Sequence, residues 1–110
     1  MSTDNTIIVP SPTETDPDKY KIVLENDQVR VFEYTDKPGD ITQMHHHQAF
    51  VLHALSAFKR KITFDDEKSA TREFLGGETI WSDEQNHIGE NIGETDTHVL
   101  IVELKQAAKK

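Results

Sequence analysis

Between residues 19 and 105 the chain reads as short runs of alternating apolar and polar residues, each closed by turn chemistry. That is the pattern of an all-β sandwich or barrel. Tyr20, Ile22 and Leu24 alternate with Lys21, Val23 and Glu25, and Glu25-Asn26-Asp27 turns the chain into a second run, Val29–Tyr34. Asp36-Lys37-Pro38-Gly39-Asp40 has the composition of a loop. Further strands are expected over 41–47, 50–55, 58–64, 69–74, 78–81, 87–91 and 98–105, and no stretch carries a helical period. About nine strands with turns every eight to twelve residues predict a closed or two-sheet β fold.

Two of these runs are apolar at odd and even positions alike: Phe50-Val51-Leu52-His53-Ala54-Leu55, and His98-Val99-Leu100-Ile101-Val102-Glu103-Leu104. An antiparallel strand with one wet face alternates, so a cover over the outer face is expected. A homodimer is expected to supply it. With His53 pointing inward, Phe50 and Leu52 fall on the outer face, joined by Leu100 and Leu104 or by Val99 and Ile101 of the last strand. Residues 1–18 hold four carboxylates, no base, and Pro10, Pro12 and Pro17. They read as an extended or disordered arm, whose Ile7–Val9 could help cover that face. Residues 19–105 form the domain and 106–110 a polar tail.

Composition narrows the chemistry. A chain of 110 residues buries roughly 65% of its unfolded surface, enough for one core. With no cysteine, thiolate metal sites and thiol nucleophiles are excluded. A net charge of −8 argues against nucleic acid or anionic membrane as partner. Met1–Val9 lacks the basic start of a signal peptide, and no run reaches the roughly 18 apolar residues of a membrane span, so a cytoplasmic location is expected. No nucleophile elbow, P-loop or dinucleotide fingerprint is present.

The histidines carry the remaining signal. His45 and His47 are two apart in an expected strand, which puts both imidazoles on one face, where they can converge on one ion. By spacing alone, the His45-His46-His47 run fits a solvated cluster equally well. His46 should face outward, and His98 reads as a surface group. His53 shares parity with His47 and Val51, so it is expected to point inward, either as a core histidine or as a group beside a metal site that touches substrate. Gln43 has the same inward parity, either lining the barrel or donating to a metal-bound ligand.

Gly39, His45 and His47, followed by Gly77-Glu78-Thr79-Ile80-Trp81-Ser82, His87 and Asn91, resemble the two motifs of the cupin superfamily in order and separation. The stretches from Lys21 to Val31 and from Glu90 to Thr95 look like a subgroup of small bacterial cupins (RmlC-like). The resemblance implies a double-stranded β-helix, a jelly-roll barrel with a metal inside its mouth, over about residues 20–105. Where the first motif usually places a glutamate ligand, this chain has Val51 and Leu52. What remains is a neutral set, His45, His47 and His87, similar to the iron site of thiol dioxygenases and of acetylacetone-cleaving dioxygenase. The implied cofactor is a divalent transition metal, with Fe(II) favoured by function and Ni, Zn, Mn or Co open. The implied activity is a non-haem dioxygenase acting on a small metal-chelating substrate. Two alternatives stand beside it: a sensor or accessory cupin that binds ligand without turnover, and a metal-dependent isomerase or lyase, for which Glu33 and His53 are the candidate acid or base.

Overall fold

The computed structural model describes residues 9–105, and within them the alternating runs become nine strands. These are β1 (Tyr20–Glu25), β2 (Val29–Asp36), β3 (His45–His47), β4 (Phe50–Ala54), β5 (Phe58–Phe64), β6 (Ser69–Phe74), β7 (Thr79–Ser82), β8 (Gln85–Asn91) and β9 (Thr97–Leu104). They pair antiparallel into a five-stranded sheet, β1-β2-β9-β4-β7, and a four-stranded sheet, β3-β8-β5-β6. Phe32, Phe50, Phe58, Phe74, Val99 and Ile101 are buried between the sheets, with Phe58 and Phe74 stacked at 4.7 Å. Most of the expected 41–47 run is not strand. Only Ile41 makes an isolated bridge, to Glu90, before β3 begins.

The two seams between the sheets differ. At one, a helical turn, α1 (Pro12–Thr15), packs against β1 and β3. Pro12 at its first position needs no backbone donor and is buried, as is Asp16. Asp16 Oδ2 accepts from the Gln43 backbone N–H at 3.1 Å, and the His46 N–H donates to Pro10 O at 2.8 Å. Residues 10–16, read from sequence as arm, thus form part of the barrel wall. Ile7 and Ile8 lie outside the described residues, as do residues 106–110. At the other seam, β6 and β7 are free edges, and their residues are largely exposed.

The inward orientation of His53 is corrected. Gln48-Ala49 carries the chain from the four-stranded to the five-stranded sheet, and the inward parity changes there from odd to even. Phe50, Leu52 and Ala54 therefore face the core, while Val51 and His53 face out. A bulge between Ile22 and Leu24 turns Leu24 outward in the same way. On β9, Val99, Ile101 and Glu103 are buried. The outer face consequently carries an unbroken apolar row across all five strands, Leu24–Val31–Val102–Val51–Trp81, each residue directly opposite the next. Leu24 and Trp81 are about half exposed (51% and 55%).

A buried polar network holds β2, β5, β8 and β9 together. Arg60 donates to Asp36 at 2.6 Å and to Thr97 Oγ1 at 3.1 Å, and the Tyr34 hydroxyl donates to Asp36 as well. Asn91 donates to Asp36 at 3.0 Å. Burial would raise the Asp36 carboxyl, but the Arg60 guanidinium and these hydrogen bonds override it and hold it below the ordinary carboxylate range.

Two predictions follow from this packing. Asp36→Asn strands a buried guanidinium and should cost about 3–5 kcal/mol, seen as a lower urea midpoint at unchanged slope. The ion pair's contribution should be complete above roughly pH 4, where the unfolded carboxyl is ionised. It should fade as pH falls through the lower folded value; stability flat through that acid range would contradict it. The second concerns the outer row, which replaces Phe50 and Leu52 as the face expected to carry a homodimer. The full chain should sediment as a dimer at micromolar concentration and a Val51→Glu/Val102→Glu variant as a monomer; a monomeric parent would remove the dimer.

Candidate metal centre

The site starts from strand register. His45 on β3 lies directly opposite His87 on β8, and His47, two residues on, shares their face. Three imidazoles thereby converge from two adjacent strands, with ring centroids 4.8 to 5.0 Å apart. All three are buried, His45 completely, and one nitrogen of each lies within 4.8 Å of the others. The Gly39 turn that leads into this region has φ +92°, a conformation that favours glycine. Its N–H bonds Asn91 O at 2.9 Å, so the turn before β3 is pinned to the end of β8.

Each ring is fixed through Nδ1. His45 Nδ1 lies 2.8 Å from Gln43 O, His47 Nδ1 2.9 Å from Glu103 Oε2, and His87 Nδ1 2.5 Å from Gln85 Oε1. Each of these partners is an oxygen, so each Nδ1 carries the proton and donates it, leaving Nε2 of every ring as the nitrogen with a lone pair. This is the arrangement in which metal-bound histidines are oriented by a carboxylate or carbonyl behind them. Burial is the largest influence on all three and lowers each imidazole's pKa. For His47 and His87 the neighbouring histidines depress it further, well below the usual imidazole value. The cluster is neutral at physiological pH, and one nitrogen of each ring stands within reach of a shared ion. The Tyr20 hydroxyl is 3.3 Å from His45 Nε2. This donor set fits a divalent transition metal held on one face.

His47 and His87 line a cavity of about 150 Å³. Its inner wall is apolar, with Phe50, Phe58, Ile62 and Phe74 among the lining residues. Its outlet lies at the open seam, where Ala70 and Arg72 of β6 and Ile80 and Ser82 of β7 also line it. Two of the three clustered histidines and a confined space therefore coincide.

Not every residue singled out from sequence is at this site. His53 bonds Thr79 Oγ1 at 2.8 Å on the outer surface. The Gln43 side chain is exposed and donates to Thr15 O at 2.8 Å; only its backbone oxygen serves the centre, by accepting from His45. Glu33 is paired with His98 at 2.6 Å, on the outside of the five-stranded sheet. His46 faces outward, bonded to Asn86 at 2.7 Å. The groups that orient the ligands, Glu103 and Gln85, were overlooked, as was Arg60 in the cavity wall. A carboxylate sharing the buried parity of Val99 and Ile101, and a glutamine two residues before His87, were the available signals.

No protein-family model matches the sequence, and a search of curated proteins returns no match. Solved structures do share the architecture. A cupin domain from Bordetella pertussis Tohama I is 19% identical over 92% of this chain and 100% of that one, with a TM-score of 0.73. An RmlC-like cupin from Methanocaldococcus jannaschii with a double-stranded β-helix fold is 11% identical over 77% of each chain, with a TM-score of 0.62. The polyketide cyclase RemF from Streptomyces resistomycificus is 18% identical over 91% of this chain and 71% of its own, with a TM-score of 0.61. The chain has the cupin fold, the double-stranded β-helix that its two motifs imply.

Removing one imidazole or only its support should give different losses. His87→Ala should abolish stoichiometric Ni(II) or Co(II) binding. Gln85→Ala should weaken it by about 10–100-fold, and His53→Leu should leave it unchanged. Calorimetric titration checks all three, and parent-like affinity in His87→Ala would dissolve the centre.

Proposed function

We propose that this cupin-fold protein holds one divalent transition-metal ion on His45, His47 and His87 and oxygenates a small substrate that chelates the ion, with Fe(II) as the working metal. The observation that carries the reading is that the three histidines cluster within 4.8 Å, one nitrogen from each, and that two of them, His47 and His87, also line the open cavity. When bound, a dipositive ion with three neutral ligands supplies Lewis acidity and open coordination positions, the requirement for bringing a bidentate substrate and dioxygen together.

The chain's own residues supply the rest. Glu103, Gln85 and the Gln43 carbonyl hold the ligand rings in one orientation. The aromatic and aliphatic lining excludes water around the substrate's body. Tyr20 also lines the cavity, and burial raises its hydroxyl above the ordinary phenol value, so it remains a proton donor. With the Nε2 lone pair of His45 engaged by a ligand, the Tyr20 proton is free to hydrogen-bond whatever occupies the cavity.

The isomerase or lyase alternative lacks support, because Glu33 and His53 both lie outside the barrel and, among the described residues, no carboxylate lines the cavity. The sensor or accessory alternative shares the same metal site and is separated by turnover. Fe(II)-reconstituted protein should consume dioxygen with at least one small chelator from a panel that includes pentane-2,4-dione and 3-mercaptopropionate, and His87→Ala should not. Tight Fe(II) binding with no chelator-dependent uptake would favour ligand binding without chemistry.

A further inference from the structure

The cavity's charges are not accounted for by the metal ligands. Twenty of the described residues line it, and although the chain carries 20 acidic residues among 110, none of these twenty is Asp or Glu. Two are arginines, Arg60 and Arg72. They are directly opposite each other on β5 and β6, both on the inner face. Like charges in directly opposed positions destabilise a sheet unless something compensates them.

Arg60 is compensated. Its guanidinium is buried, bonded to Asp36 and Thr97 through one nitrogen and to the Tyr34 hydroxyl at 3.2 Å through another. Gly89 makes room for it, since a Cβ there would lie 2.4 Å from Arg60 Nη2. Arg72 is different. It lies at the cavity's exposed rim, and its side chain has no hydrogen bond or ion pair among the described residues. A cation without a counter-charge at the mouth of a carboxylate-free, partly apolar cavity concentrates anions there.

We propose that Arg72 is an anion-binding group of the substrate site, and that the ligand is a small organic carboxylate with an apolar body. This deepens the reading above, since it takes the metal-lined cavity as the substrate site. Size follows from the cavity: about 150 Å³ of apolar space is enough for a benzene-sized group. Length follows from register. His87 is beside Phe64 and Arg72 is beside Arg60, four residues apart along β5, or roughly 13 Å between the two rows. The carboxylate sits at the Arg72 rim, the apolar body lies against Ile62, Phe58 and Phe74, and the far end points to the histidines.

The test uses the full chain and three probes of one shape: 3-phenylpropanoate, its neutral amide and the cationic 3-phenylpropylamine. Binding is read by chemical-shift titration, first with metal removed by chelator and then with Ni(II) bound. In metal-free protein the carboxylate should bind at least about tenfold tighter than the amide, and the amine weakest. Arg72→Gln should abolish that preference and Arg72→Lys retain part of it, while Lys61→Gln, on the outer face of β5, should leave it intact. Equal binding of carboxylate and amide, a preference that survives Arg72→Gln, a preference seen only with Ni(II), or no binding at millimolar concentration would each overturn the proposal. Because the charge preference is measured without metal, it should persist in His87→Ala. A failed metal centre would leave it standing, and a failed anion site would leave Ni(II) affinity unchanged.

Discussion

Three neutral imidazoles buried edge to edge are the constraint on which the rest of the structure depends. Burying three imidazoles takes six ring nitrogens away from water, which is costly unless those nitrogens find partners. The fold tolerates this because each Nδ1–H has a dedicated acceptor and because the rings pack on Tyr20, Phe32 and Phe50. A divalent cation would engage all three Nε2 lone pairs at once, and neutral imidazoles would release no proton on binding it. The same burial that depresses the histidine pKa values keeps the ligand set ready at neutral pH.

The barrel divides its labour between its seams. One is closed by α1 and the Gln43 region, which also supplies the carbonyl that orients His45. The other stays open between β6 and β7 and gives the cavity its outlet. Between them the Arg60–Asp36–Tyr34–Asn91 network ties both sheets together behind the site. These polar groups satisfy one another and so add rigidity without leaving an unpaired charge inside.

Strand positions were legible almost residue by residue, because alternation and turn residues are local signals; β5 and β6 fall where the pattern places them. The three-histidine cluster was legible too, because an i, i+2 pair on a strand must share a face and the second motif supplies a third histidine in order. Orientation after a break was not. Parity counted from His47 to His53 ignores the sheet change at Gln48-Ala49, and that single step put His53, Phe50 and Leu52 on the wrong faces. The supporting contacts were hidden because they join distant segments: Glu103 reaches His47 across 56 residues, and Arg60 reaches Asp36 across 24. Alternation could have flagged both, since each is a charged residue at a buried position of its strand.

The account turns on whether the three Nε2 atoms bind one ion together, and X-ray absorption on protein loaded with one equivalent of Zn(II) tests this most directly. It should give three imidazole nitrogens at about 2.0–2.1 Å, with the remaining positions filled by light atoms from solvent. One imidazole per ion, or a coordination sphere unchanged in the His47→Ala variant, would contradict it.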